Sequence, residues 1–406
     1  MRKRLALYLA VVAIVGVAFI LPSVRELVSG IIPLARPALP LPPQGEPLPF
    51  SLTEGFAAHL FANNVPGARV LARDPEGVLI ASLTSDGKVV AMPDRDGNGS
   101  ADEVLVLLDN LNRPHGLAVR CTERCQLYVA ETDALSVYDY EYDESRQINR
   151  PVNGTKIVDL PSSGGHSTRS ILFMPQPNDH KLLISVGSSC NVCEETDWRR
   201  AKVLVADAGG NDLTEYAKGL RNTVFMTIHP VTGEIWGTDM GRDHLGDDLP
   251  PDEINIIRQG GNYGWPICYG KNTHDTSYDK NTYIRNPCME PFETPSHIDI
   301  PAHSAPLGLA FVPEEGWPEG MWYDALVAYH GSWNRSIPTG YKIVRFPLDA
   351  HGNPEGPAQD FLTGFMNGKA SVIGRPVDIL AEPGGSLYIS DDRAGAIYRI
   401  VRTKEY

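Results

Sequence analysis

Positive charge is scarce in this chain: 36 Lys and Arg stand against 50 Asp and Glu, a formal net charge of −14. Neutralising a phosphate backbone takes a basic surface, so nucleic acid is excluded as a partner class. The acidic surplus bears on solubility and not on the fold. The chain also lacks any convincing amphipathic helix. Cysteine is sparse, six in 406 residues, and falls into three local groups: Cys121/Cys125, Cys190/Cys193 and Cys268/Cys288. Cys190-x-x-Cys193 has zinc-ligand spacing, but no second Cys or His pair lies at zinc-finger distance from it. No thioredoxin-like βαβ pattern surrounds it either. Disulfides therefore lead, with zinc and a redox-active thiol pair as rivals.

What is plentiful is turn chemistry. With 38 glycines, 33 prolines and 42% apolar residues, the composition suits a folded, turn-rich protein. The basic start Met1-Arg2-Lys3-Arg4 precedes an apolar run from Leu5 to Pro22. That order marks an export signal or a membrane anchor in residues 1–22, near the lower length limit for a spanning helix. Ser23-Val24-Arg25-Glu26 offers no small-x-small cleavage site, which favours an uncleaved anchor. The basic flank would then stay cytoplasmic and the bulk of the chain would be exported. An even cysteine count in an exported chain reads as disulfides. Residues 23–49 form a proline-rich linker, a stiff spacer, and the folded domain is expected over 50–406.

From there the chain repeats a theme without repeating a sequence: an apolar strand, a Pro/Gly/Asp turn, then a second β-rich strand. The copies begin at Val70, Gly116, Ser170, Val224, Gly308 and Val377. Six copies over about 350 residues match the period of propeller blades. Short β segments with turn signals point the same way, so the expected fold is all-β, a six-bladed β-propeller following an N-terminal anchor or signal helix. The longer gap between the fourth and fifth copies leaves room for an inserted loop over roughly 264–303, and long ordered loops tend to be functional.

Propeller ligands gather where the innermost strands converge, so the residues opening each copy matter. His115 precedes the second copy, His166 and Arg169 the third, Arg221 and Asn222 the fourth, His303 and Ser304 the fifth, and Arg375 the sixth. Histidines and permanently charged arginines delivered to one place suit a polyanionic organic cofactor. Asp94-Arg-Asp96-Gly-Asn98-Gly-Ser-Ala-Asp102 separately resembles the start of an EF-hand-type calcium loop, with Leu105 where the bidentate Glu would stand. A polar inter-blade turn is the other reading of that stretch.

Gly164-Gly-His166-Ser-Thr-Arg169, Gly219-Leu-Arg221-Asn222, Pro251-Asp-Glu253-Ile-Asn255, Gly261-Asn-Tyr263-Gly-Trp-Pro266 and Gly374-Arg375-Pro-Val-Asp378 together resemble the soluble glucose/sorbosone dehydrogenases. The resemblance covers about residues 50–402 and implies a six-bladed propeller that uses pyrroloquinoline quinone (PQQ) and calcium. It implies His166 as the base that takes a sugar hydroxyl proton, a role that imidazole chemistry suits. It implies PQQ contacts from Arg221, Asn222 and Arg375, and from Arg169 unless that residue is a buried structural ion-pair member. Glu253 and Tyr263 would hold one calcium, and the Gly241-Arg242 turn another beside PQQ. The lysine that the glucose branch places before its last blade is missing from Tyr329-His-Gly-Ser-Trp-Asn-Arg335; Arg335 or Lys342 would replace its charge. His330 and Trp333 are candidates for a sugar pocket, and this departure favours the sorbosone-like branch. The partners implied are a sugar or sugar aldehyde and an external electron acceptor. The alternatives are a calcium-dependent propeller lactonase and a non-catalytic propeller that presents loops to carbohydrate or protein.

Overall fold

The computed structural model describes residues 48–291, 293–367 and 371–403. The anchor and nearly all of the linker expected from the sequence lie outside the described residues. Among the described residues, no helix is long and apolar enough to cross a membrane.

Six antiparallel sheets follow one another along the chain. Blade 1 comprises Ala68–Arg73, Leu79–Leu83, Lys88–Met92 and Leu105–Leu108. Blade 2 comprises Leu117–Cys121, Cys125–Ala130, Ala134–Asp143 and Ile148–Asp159, and blade 3 Arg169–Phe173, Lys181–Val186, Lys202–Asp207 and Thr214–Lys218. Blade 4 is Thr223–Ile228, Ile235–Asp239, Asp252–Ile256 and Ile298–Ile300. Blade 5 is Pro306–Phe311, Ala325–Tyr329, Lys342–Phe346 and Gln359–Thr363, edged by the short strand Ser51–Leu52. Blade 6 takes Pro376–Glu382, Ser386–Asp391 and Ala396–Arg402 from the end of the chain and Phe56–Ala62 from its beginning.

The first strands of successive blades touch one another around a closed ring, from blade 1 to blade 6 and back. This is the six-bladed propeller expected from the repeats. Because each sheet packs on both faces, strands such as Leu79–Leu83 and Ala325–Tyr329 are buried at every position. They read in sequence as continuous apolar runs and not as an alternation. Each junction between neighbouring blades holds its own apolar cluster. Blades 1 and 2 meet at Ile80, Leu117 and Leu127, for example, and blades 4 and 5 at Trp236, Leu309 and Val327. A seventh, small cluster of Val224, Phe225, Leu307 and Val377 joins the innermost strands.

Two differences from the sequence expectation bear on the site. The insertion belongs inside blade 4, between its third and fourth strands, because Ile298–Ile300 pairs with Asp252–Ile256. It climbs back along the outer strand of blade 3, where Lys218 N donates to Gly261 O (3.0 Å) and Tyr263 N to Lys218 O (2.9 Å). That path brings it beside Arg221. The zinc and thiol readings of Cys190-x-x-Cys193 give way to a disulfide; the six cysteines pair as Cys121–Cys125, Cys190–Cys193 and Cys268–Cys288.

The ring is closed by Phe56–Ala62 lying antiparallel to Ala396–Arg402. Phe61 of the closing strand is 2% exposed and packs edge-on against Tyr388, ring centroids 5.0 Å apart. Truncating Phe61 to alanine is expected to lower the unfolding free energy by about 3–5 kcal/mol, read from the urea midpoint. A change below about 1 kcal/mol would mean that this strand does not hold the ring shut.

Candidate functional site

The openings of the first strands are held from beneath by buried carboxylates. Asp239 ends the second strand of blade 4 and accepts the backbone N–H groups of Arg221 (3.0 Å) and Asn222 (2.9 Å) and the Thr223 hydroxyl (2.8 Å). Asp391 ends the second strand of blade 6 and accepts the N–H groups of Arg375 (2.9 Å), Arg393 (3.0 Å) and Ala394 (2.8 Å). Burial pushes these carboxyl groups up to about 6 and about 7 respectively. Backbone is fixed this way, and the arginine side chains are left to reach elsewhere.

His166 enters from the loop before blade 3. Its Nδ1 lies 3.0 Å from the Ser188 carbonyl and 2.9 Å from the Ser188 hydroxyl. A carbonyl can only accept, so Nδ1 carries the proton and Nε2 the lone pair. Burial first, then the Arg221 guanidinium, holds this imidazole down at about 3, partly offset by the Ser188 backbone bond. It is therefore neutral at any working pH. Gly187 makes the arrangement sterically possible: a Cβ there would sit 2.5 Å from Asn222 Oδ1 and 2.7 Å from His166 Cβ. Asn222 Oδ1 thus crowds the same face of Gly187 as His166, and it is buried with no hydrogen-bond partner.

Arg221 is almost wholly enclosed. Its Nε donates to Asn191 O (2.9 Å), its Nη1 to Gly241 O (2.9 Å) and Met240 O (3.2 Å), and its Nη2 to Asn191 Oδ1 (2.9 Å) and Asp243 Oδ2 (3.3 Å). All five donors are used, so Arg221 offers the site a fixed positive charge and no free N–H. Asn191, held between Cys190 and Cys193, supplies two of those acceptors and also receives Asp243 N (2.8 Å). Ser188 Oγ in turn donates to Cys190 O (2.7 Å), so the disulfide loop links the partners of His166 and Arg221.

For Arg169 the sequence leaves cofactor contact and a buried ion pair open, and the side chain supports its own loop. It is fully buried and donates to the carbonyls of His166 (3.0 Å), Thr168 (2.7 Å) and Pro161 (2.5 Å), and no carboxylate pairs with it among the described residues. Arg335 binds the Asp247 carbonyl, Ala302 O (3.2 Å) and the Asp248 carboxylate (3.0 Å). Lys342 pairs with Asp360 on the outer strand of blade 5 (2.5 Å). Arg375 keeps more freedom. Its Nη2 donates to Gly331 O (3.1 Å) and Tyr341 OH (3.3 Å), and its other nitrogens bond nothing among the described residues.

His330 joins the site through Asp392, Nε2 to Oδ1 2.9 Å. Trp333 stands 67% exposed at the rim, edge-on to His244. His303 is bonded to Gly246 O (2.8 Å), and His115 is fully buried, pushed well down by burial and by Arg69. Ser304 Oγ turns away to Pro301 O (2.7 Å).

The expected metal residues part company. Gly241, Arg242, Glu253 and Tyr263 line one cavity with Arg221, Asp239 and Asp275. The Tyr263 hydroxyl donates to Ile256 O (2.5 Å) and accepts Arg258 N (2.9 Å). The Arg242 side chain pairs with Asp275 (3.0 Å). Glu253 accepts from Gly270 N (2.6 Å) and Asn255 Nδ2 (2.9 Å) and is pushed up to about 8 by burial and by Asp239. Glu293, which sequence reasoning missed, is pushed up to about 9 by burial and by Glu253, with Oε1 buried and unpartnered. Two buried carboxylates side by side are the oxygen donors a hard metal would take.

Asp94, Asp96, Asn98 and Asp102 lie apart, in the loop between the third and fourth strands of blade 1. In an up-and-down blade that is the end opposite the strand openings. Their oxygens accept Gly99 N (2.9 Å), Asn98 N (3.1 Å), Ser100 N (2.8 Å) and Arg95 N (3.0 Å).

The model of the TrAA12-like family matches residues 50–403. A pyrroloquinoline quinone-dependent pyranose dehydrogenase of Coprinopsis cinerea is 24% identical over 422 residues, covering 88% of this chain and 56% of that protein. The chain thus spans little more than half the length of that relative. The holo form of the pyranose dehydrogenase PQQ domain from Coprinopsis cinerea superposes with a TM-score of 0.74 at 21% identity, covering 89% of this chain and 98% of that one. A calcium structure of the Trichoderma reesei Carbohydrate-Active Enzymes Family AA12 protein gives 0.74 at 21% identity, covering 91% and 100%. At these identities the superpositions show a shared fold.

The depressed His166 has a readable signature. Its folded value lies below the ordinary 6.5, so its contribution to stability is present above 6.5 and is lost as pH falls toward about 3. Ring-nitrogen NMR of the protein without added ligand is expected to find a neutral, Nδ1-protonated imidazole at pH 5. An imidazolium at that pH would contradict the burial and the tautomer.

Proposed function

The chain belongs to the TrAA12-like family, and on that basis we propose that it is an exported, PQQ-dependent sugar dehydrogenase in which His166 is the base. The observation that carries the reading is His166 itself: Nδ1 is locked onto Ser188, and Nε2 is left with its lone pair under the fixed charge of Arg221. The residues fit an anionic quinone. Arg375 keeps free donors for a carboxylate, and the unpartnered Asn222 Oδ1 is left to accept an N–H or O–H of whatever binds.

PQQ, held by Arg375 and the charge of Arg221, would supply the two-electron redox chemistry of the sugar oxidation. Everything else falls to side chains. His166 Nε2 takes the proton of the substrate hydroxyl, and the resulting N–H is retained while Ser188 keeps the ring in place. Arg221 presents its charge where negative charge develops and cannot swing away, because five acceptors hold it. Trp333 and His330 are suited to receive the sugar, one by an exposed aromatic face and the other at the inner wall. The substrate class is an aldose or a sorbosone-type aldehyde, and electrons leave to an external acceptor. Calcium is assigned to Glu253, with Glu293 beside it and the Gly241 carbonyl nearby.

Titrating the purified protein with PQQ in calcium, and following quinone absorbance and dye reduction with a panel of aldoses, tests the reading. Saturable binding and sugar-dependent bleaching are expected. His166→Ala is expected to bind PQQ but to lose roughly 10²–10⁴-fold in turnover. No binding at micromolar PQQ would overturn the proposal and bring the calcium-lactonase reading forward.

Metal occupancy has its own measurement. Adding calcium to chelator-treated protein is expected to raise the melting temperature by about 5 °C, and Glu253→Gln to abolish that rise. An equal rise in both proteins would place the metal elsewhere.

A further inference from the structure

The openings of blades 2 to 6 bring charged or polar side chains to the centre of the ring, and sequence reading finds none for blade 1. The structure supplies one. Arg69 is the second residue of the innermost strand Ala68–Arg73. Its Nη1 pairs with Asp392 Oδ2 at 2.7 Å, and Asp392 Oδ1 pairs with His330 Nε2 at 2.9 Å. Blades 1, 5 and 6 are thus tied by one carboxylate. The Arg375 side chain lies in the same neighbourhood, bonded to Gly331 O next to His330 (3.1 Å).

The unused part of Arg69 is what carries the argument. Nε is buried and has no partner, and Nη2 makes no hydrogen bond among the described residues. Nε and Nη2 form the side-on edge of a guanidinium, the edge that accepts a carboxylate with two parallel bonds. Arg73, four residues on in the same strand, uses that edge on Glu382, Nε at 2.5 Å and Nη2 at 2.9 Å. A buried, unsatisfied donor is destabilising until something fills it. In Arg69 the opposite nitrogen is pinned by Asp392, so the open edge is preoriented and not free to wander.

We propose that Arg69 binds a carboxylate of the quinone cofactor through its Nε/Nη2 edge, with Asp392 as the positioning residue that turns that edge inward. This rests on the PQQ reading above. Lysine at this position would keep the charge and the ion pair with Asp392 but could not present two parallel donors.

The test is a fluorescence titration of the full chain in calcium with PQQ and, in parallel, with PQQ trimethyl ester, which lacks the carboxylates. Arg69→Lys and Arg69→Met are compared with the parent, and melting temperatures are recorded. Both variants are expected to bind PQQ at least about tenfold more weakly and the ester as the parent does. Unchanged PQQ affinity in Arg69→Lys and Arg69→Met would overturn the assignment. Equal weakening toward PQQ and ester would also overturn it, since that pattern reports structural damage alone. If the parent chain itself binds no PQQ, the cofactor reading fails first and this inference with it.

Discussion

A propeller is a ring, and the ring holds only if its last sheet accepts a strand from the other end of the chain. Phe56–Ala62 closing on Ala396–Arg402 is that constraint. Without it the outer edge of Ala396–Arg402 would stand unpaired, an open template for aggregation. The first strands of blades 1 and 6 would also lose their fixed spacing. Every feature of the site depends on that spacing. Asp392 reaches Arg69 and His330 only because blades 1, 5 and 6 are locked side by side. The apolar clusters at the blade junctions supply the burial that makes closure favourable.

Within the ring, a division of labour recurs. Buried aspartates hold backbone, and arginines are held in turn by carbonyls. Asp239 fixes the start of blade 4 and Asp391 that of blade 6, each by accepting consecutive or nearby N–H groups. Arg169 is held through Nη1 and Nη2 with its Nε unpartnered, whereas Arg221 has every donor on a protein acceptor, and the two serve different ends. The first ties the His166 loop to Pro161, and the second projects charge toward His166. The Cys190–Cys193 loop couples the two halves, since Asn191 grips Arg221 and Ser188 grips His166. Preorganisation of this kind is what an electrostatic site requires, because donors already fixed need not reorganise when charge moves.

Much of this was legible in the sequence. The six apolar copies beginning at Val70, Gly116, Ser170, Val224, Gly308 and Val377 mark the six innermost strands, because each copy pairs an apolar first strand with a turn and a second, mostly apolar strand. His166, Asn222 and Arg375 were marked by their position just before those strands. Residues with the same local signal but different roles were not separable. Arg169 precedes a strand as Arg375 does, yet it is sealed under its own loop. Arg69 carries the same local signal, since Gly67-Ala-Arg69 has the spacing of Gly219-Leu-Arg221; only its partners in space set it apart. Glu293 and Asn191 lie in irregular segments, where spacing carries no periodic signal.

The sequence by itself determined the class of fold, the number of blades, the family and the kinds of groups at the centre. Those follow from local burial patterns and from motifs that short stretches of chain carry whole. Only the tertiary structure decided which donors remain free, which buried carboxylates are brought together, and which nitrogen of His166 holds the proton. Each of those depends on partners more than ten residues away, such as Arg221 with Asn191 and Arg69 with Asp392. Hydrogen-bond saturation is a property of a neighbourhood in space, and distance along the chain does not encode it.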